Sequence, residues 1–321
     1  MDPSQSIPLS VEESDVRKAV LSFPAGSSGG PDDLRPQHLK DLVQCRKSGS
    51  GFLTALTRLV NLVLAGQCPG DVAPIFFGGR LIALNKKSGG IRPIAVGITL
   101  RHLVSKCANT HAVARLATYF RPTQLGVGTP GGCEAAVHSA CRFLETMPND
   151  SVVVKLDFSN ASNCLHRSDM LKSIADRVPE LLSYCHSAYA NPSVLYYGQY
   201  IIMSQEGPQQ GDPLSPLLFC NIIHPLLESL DSILQLGHMD DVNLGRSQET
   251  VAKDVQTVME VGHDMGLNIN VSKCELIAHP GCNVTDPTLL SFQQILTENA
   301  KLLGASLFPG MVLDLMWARE M

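Results

Sequence analysis

The sequence predicts an α+β fold in which an antiparallel sheet is backed by helices. Three observations carry this. From Val152 onward the apolar pattern reads as strand, helix, strand pair, helix, strand hairpin, helix, strand, an order close to a split βαβ unit. The stretch Leu236-Gly237-His238-Met239-Asp240-Asp241-Val242-Asn243-Leu244-Gly245 sets two adjacent aspartates between short apolar runs with glycines on both sides. It reads as a tight β-hairpin with a carboxylate pair at its tip. The apolar strand Val152 to Leu156 ends on Asp157. Taken alone, the aspartate pair is a solvated turn. If the two strands are neighbours in one sheet, however, Asp157 and Asp240 converge at one edge. Converging carboxylates suit hard divalent cations, which take oxygen ligands and commonly hold substrate phosphates as well. Two such ions about 3.5–4 Å apart clamp the attacking and leaving oxygens of a phosphoryl transfer.

Composition sets the outer limits. The chain has 321 residues, 44% of them hydrophobic, enough for a large core arranged as subdomains rather than two independent folds. Charged residues are 17%, and Lys+Arg 25 against Asp+Glu 30 gives a net charge of −5. Nucleic-acid binders usually carry a basic footprint, so such a partner would require a local basic groove. Ten cysteines without a CxxC pair point to neither a zinc site nor a disulfide framework. The first residues, Met1 to Ser6, lack the basic and apolar regions of a secretory signal. No apolar run approaches the roughly 18–20 residues of a spanning helix. The expectation is a soluble protein of a reducing intracellular compartment, nucleus or cytoplasm, with no membrane partner.

Each element follows from local pattern. Ser10 and Glu13 suggest a capping box for a helix whose face is Val16, Ala19, Val20 and Phe23, stopping at Pro24. The run Ala25 to Asp33 is a Gly-rich connector without the GxxxxGK[ST] pattern. Helices are expected over 36–43 and 52–65, the second with Leu53, Leu56, Leu59, Val60 and Val63 on its core face. Two β-rich runs from Gly79 to Val96 flank Ser88-Gly89-Gly90, a hairpin with Lys86 and Lys87 at its tip. Those lysines serve either edge protection or binding. Arg92 lies in an apolar stretch, where a half-buried guanidinium wants a carboxylate or phosphate. Helices over 99–119 and 132–144 look structural. After Asp157, the Ser159 to Arg167 stretch turns into a helix, and another precedes Asn191-Pro192. A second hairpin, 194–203, turns at Gly198-Gln199. In Glu206-Gly207-Pro208-Gln209-Gln210-Gly211-Asp212-Pro213, Asp212 suits an N-cap and Pro213 the first helical position. That leaves Gln209 and Gln210 as amides placed to touch a ligand. A helix over 249–265 ends at Gly266, and a strand is expected from Asn268 through Ile277.

Taken in order, these stretches resemble the reverse transcriptase domain of non-LTR retrotransposons and, more broadly, right-hand polymerases. The first palm motif is similar to Lys155-Leu156-Asp157-Phe158-Ser159-Asn160-Ala161, the second to Glu206 through Pro216, and the third to Met239-Asp240-Asp241. The next resembles Gly266-Leu267 through Lys273-Cys274, and the primer grip resembles Leu302-Leu303-Gly304. The resemblance implies fingers over residues 1–150 with an N-terminal extension, a palm over 151–285, and a primer-grip region with a truncated thumb start over 286–321. It implies RNA-directed DNA synthesis on an RNA or DNA template with primer, from deoxynucleoside triphosphates. Two Mg²⁺ ions, or Mn²⁺ in their place, would be held by Asp157, Asp240, Asp241 and the Phe158 carbonyl. Arg92, with Lys86 or Lys87, would neutralise phosphate charge. Gln210 would lie along the nucleotide's sugar and base, Gly211 would allow close backbone approach, and Lys273 would serve the departing pyrophosphate.

Departures accompany the match. Ser162 stands where the family has an aromatic ring that excludes the ribose 2′-hydroxyl. His238 replaces an aromatic before Met239. Asp33 replaces a turn glycine and would be strained if that turn needs positive φ. The helical thumb and the endonuclease are expected on a longer polyprotein. The alternative function is an impaired or domesticated retroelement remnant that only binds nucleic acid. A metal-dependent phosphatase using Asp157 and Asp240 would leave the glutamines and the lysine hairpin without a role.

Overall fold

A computed structural model describes residues 6–85 and 90–307. The chain opens with helices α1 (Glu13–Leu21), α2 (Pro36–Val43), α3 (Gly49–Leu64) and the single turn α4 (Ala73–Phe76). The hairpin β1 (Gly79–Asn85) and β2 (Ile91–Gly97) leads to α5 (Thr99–Phe120) and α6 (Gly132–Thr146). Strand β3 (Ser151–Leu156) is followed by α7 (Ala161–Cys164), α8 (Arg167–Arg177) and α9 (Leu182–Tyr189). A second hairpin, β4 (Ser193–Tyr197) and β5 (Tyr200–Ser204), precedes α10 (Ser215–Glu228). The third, β6 (Leu234–His238) and β7 (Asp241–Ser247), precedes α11 (Gln248–Asp264). The short elements β8 (Glu275–Ala278), α12 (Pro287–Leu290), β9 (Gln293–Gln294), β10 (Lys301–Leu302) and β11 (Ala305–Ser306) complete the described chain. The α+β class is as expected. None of the described helices is long and apolar enough to cross a membrane.

Contacts gather the chain into two units of two segments each, Met1–Leu116 with Leu165–Leu218, and Ala117–Cys164 with Phe219–Met321. The first holds a four-stranded sheet in the order β2-β1-β4-β5. Strands β1 and β2 pair antiparallel from Gly79↔Gly97 to Asn85↔Ile91, while β1 meets β4 in parallel. Among its helices, α1 starts at a Glu12 N-cap rather than at Ser10, and the Asp15 carboxylate accepts the Glu12 N–H at 3.2 Å. Val16, Ala19, Val20 and Phe23 are buried as expected. On α3, Leu53, Leu56, Val60 and Val63 are buried, but Leu59 is 38% exposed because it points off the stripe.

The second unit holds the sheet β6-β7-β3-β8-β9, with β3 antiparallel to both β7 and β8. Alternation divides β3 into two sets of side chains. Val152, Val154 and Leu156 are fully buried, as are their neighbours Val242, Leu244 and Leu276, and α11 packs on β3 and β7. In the other set, Val153 joins Leu234, Leu236 and Ile277 in a core with Ala136 and Ala140 of α6. Further along that same face, Lys155 pairs in register with Asn243 and Glu275. The face therefore changes from apolar to charged toward the carboxyl end of β3. The strand expected from Asn268 to Ile277 is interrupted. Asn270 N–H bonds the Asp157 carbonyl, residues 271–273 form a 3₁₀ turn, and only Glu275–Ala278 is strand.

Candidate active site

The charged end of this face is built by register. The β3–β7 ladder runs from Ser151↔Ser247 to Leu156↔Val242, and one further step sets Asp157 opposite Asp241. Asp157, Asp241, Lys155, Asn243, Lys273 and Glu275 line one cleft of about 120 Å³. The Lys155 ammonium donates to Glu275 Oε2 at 2.6 Å, and Lys273 Nζ stands 4.0 Å from Asp157 Oδ1. Although Asp241 is exposed by area, crowding in the cleft followed by the Asp240 charge raises its pKa, with Asp157 adding less. His238 and Lys155 oppose that rise. Asp240 itself is exposed at the turn and lies outside the cleft lining. Among the described residues, no three His, Cys, Asp or Glu side chains are gathered as a ready-made metal cluster.

The backbone that presents these acids is held from behind. The Asp157 carbonyl accepts the Asn270 N–H at 2.7 Å, and Ser159 N–H reaches the Asn268 carbonyl at 2.8 Å. These bonds leave the Phe158 carbonyl outside the ladder. The Asp157 N–H donates to the buried Cys274 Sγ at 3.4 Å, and burial pushes that thiol up to about 11. Across the sheet, His238 and Asp241 close the hairpin through Met239-Asp240, with Met239 at φ 57. His238 Nε2 is 3.1 Å from Cys133 Sγ. Ser162 lies half-buried on α7 of this same unit.

Other expected site residues belong to the first unit. Gln210 is half-buried with its carbonyl accepting the Ala95 N–H at 2.9 Å. Gly211 has φ 111, and a Cβ there would sit 2.4 Å from the Ala95 carbonyl oxygen, so only glycine fits. Arg92 is exposed on β2 rather than half-buried. Lys86 and Lys87 lie outside the described residues. Asp33 does adopt φ 54, the left-handed conformation its turn demands, and its carboxylate pairs with Arg80 at 3.2 Å.

Two expectations are corrected. Asp212 does not begin the helix, since α10 starts at Ser215; its Oδ1 instead accepts the Leu214 N–H at 2.9 Å within a turn. Its Oδ2 faces Arg101 Nε at 3.0 Å in a pair whose side chains are both 1% exposed, and Ser105 Oγ adds a bond at 2.8 Å. Gln209 is buried too, its amide oxygen bonded to Arg101, so it is not offered to a ligand. The detectable signal was Arg101 itself, a charged residue on the helical face of Ser105, Ala108 and Ala112. Gln124, fully buried behind Met239, went unnoticed; a polar residue between Thr123 and Leu125-Gly126 carries little pattern.

Paired acids on neighbouring antiparallel strands, with lysines beside them, form a charged cleft at one end of the sheet. The chain is a member of the reverse transcriptase (RNA-dependent DNA polymerase) family, which it matches over residues 84–307. It is 24% identical over 319 residues to the retrovirus-related Pol polyprotein from type-2 retrotransposable element R2DM of Drosophila melanogaster. That match covers 91% of this chain but 28% of the polyprotein. The resemblance to non-LTR retrotransposon reverse transcriptases is thereby borne out, and the chain carries an RNA-directed DNA polymerase domain.

Proposed function

We propose that the Asp157–Asp241 cleft is the nucleotidyl-transfer centre of a right-hand polymerase, with fingers over residues 1–150, a palm over 151–285 and the primer grip and thumb start over 286–321. One observation carries the reading: Asp157 and Asp241 line one cleft from adjacent strands, with Lys273 Nζ 4.0 Å from Asp157. The donors, carboxylates of Asp157, Asp240 and Asp241 with the Phe158 carbonyl, are all oxygen and fit Mg²⁺ or Mn²⁺. Bound there, a pair of such ions supplies the charge that activates a primer 3′-hydroxyl and stabilises the leaving pyrophosphate.

The chain's own residues do the rest. Asp157 and Asp241 fix the oxygen donors on a rigid ladder. Lys273 holds positive charge beside the leaving group, and Arg92, with Lys86 or Lys87, neutralises the triphosphate. Gln210 contacts the nucleotide's sugar and base, and the missing side chain of Gly211 lets the backbone approach. Base choice is left to template pairing, so the protein reads shape and backbone. The test is primer extension on an RNA template with Mg²⁺, using Asp241→Ala and Asp240→Ala as controls. Extension that needs Asp241 and Asp240 supports the reading; binding without extension marks the chain as a nucleic-acid-binding remnant.

A further inference from the structure

The Met239-Asp240 turn carries an unusual load. Met239 takes φ 57, a conformation that favours glycine, in a two-residue turn between His238 and Asp241. Something must hold it there. Gln124, with no exposed surface, does so through one side-chain amide. Its Oε1 accepts the Met239 N–H at 2.9 Å and the Gly126 N–H at 3.1 Å, while its Nε2 donates to the Met239 carbonyl at 3.3 Å. The flanking backbone is locked in the same way, since Leu125 N–H bonds the Gly237 carbonyl and Gly237 N–H bonds the Thr123 carbonyl, each at 2.7 Å. Space confirms the fit. A Cβ on Gly126 would lie 2.5 Å from Met239 N, and one on Gly237 would lie 2.8 Å from Gln124 Nε2.

We infer that Gln124 is a positioning residue for the acid-bearing turn: its amide stands in for the strand partner that Met239 lacks and so fixes where Asp240 and Asp241 point. A planar amide with one acceptor and one donor end suits this task, because it satisfies both the N–H and the C=O of Met239 from one buried side chain. The inference rests on the polymerase reading for its effect on catalysis, but its geometric part does not.

The full chain tests both parts. Gln124→Met keeps side-chain length and removes all three bonds; Gln124→Glu keeps the acceptor for Met239 and Gly126 and removes the donor. In the metal-free chain, amide hydrogen exchange at Met239 is expected to speed up at least tenfold in Gln124→Met, with little change at Leu244 inside β7. The Mg²⁺ concentration for half-maximal primer extension is expected to rise about tenfold, while kcat at saturating Mg²⁺ falls less. Gln124→Glu should recover Met239 protection and most of the Mg²⁺ response, and it stands as the decisive variant should Gln124→Met not fold. A folded Gln124→Met chain with unchanged Met239 exchange and unchanged Mg²⁺ dependence overturns the inference, as does a Gln124→Glu chain no better than Gln124→Met. A wild-type chain that extends no primer overturns the polymerase reading and takes the catalytic half of this inference with it.

Discussion

Asp241 shows how a single side chain is bound to its task. Cleft crowding and Asp240 raise its pKa, so the folded state holds its proton more readily than the unfolded chain. Stability from this group is therefore present at low pH and lost as pH rises through the carboxylate range. Asp241→Asn should raise Tm at pH 7 by about 1–2 °C, a small gain because the group is exposed. That gain should vanish below about pH 3, where the wild-type carboxyl is also neutral. The same variant should lose Mg²⁺-dependent extension. It should also lose the stabilisation that saturating Mg²⁺ gives the wild type, about 1.4 kcal/mol at ten times Kd. Melting curves with and without Mg²⁺ across pH read all of this. Ser162 sets a second expectation. Its side chain is too small to press on a ribose 2′-hydroxyl, so the wild type should discriminate weakly between ribo- and deoxyribonucleotides. Ser162→Phe should sharpen selectivity about tenfold or more, measured as the ratio of kcat/KM values; an unchanged ratio would count against a sugar-gate role.

Among the elements, the hairpins were legible and the polar braces were not. Short apolar runs, with a glycine at the β4–β5 turn and glycines flanking the β6–β7 turn, gave β6–β7, β4–β5 and the strand into Asp157 to within a residue or two, because those signals are local. The Arg101–Asp212 pair joins α5 to the turn before α10, and no spacing rule links residues so far apart in sequence. Asp212 satisfied a helix-cap pattern that its buried partner overrode, and Gln209 was bonded inward by the same arginine. Lys155 and Glu275 were likewise invisible as a pair until the β3–β8 register set them side by side. The buried pair makes its own prediction. Asp212→Ala strands the Arg101 guanidinium and should cost about 3–5 kcal/mol in chemical denaturation. Replacing both residues by apolar ones, Arg101→Met with Asp212→Leu, should recover much of that loss.

At the scale of the whole chain, charge limits how a nucleic acid is held. With a net charge of −5, the proposed nucleic-acid binding would depend on a few local cations rather than a basic surface. If about three of them meet phosphates, affinity for a primer–template should fall roughly 40-fold between 50 and 200 mM salt. A salt titration of binding reads the slope directly, and a flat response would remove the phosphate contacts assigned to Arg92 and Lys273. The chain spans 28% of the polyprotein it matches.

The pairing of β3 with β7 also bears on how this stretch can be inherited. Asp157 and Asp241 share a face because each stands one position from a buried anchor of the opposite face, Leu156 and Val242, which pair in register. One codon gained or lost between Val242 and Ser247 would turn Asp241 toward the interior and Val242 toward solvent while Asp157 kept its place, although every acid would survive. Two codons would preserve the parity. Length in this segment is therefore constrained as tightly as the identity of the aspartates.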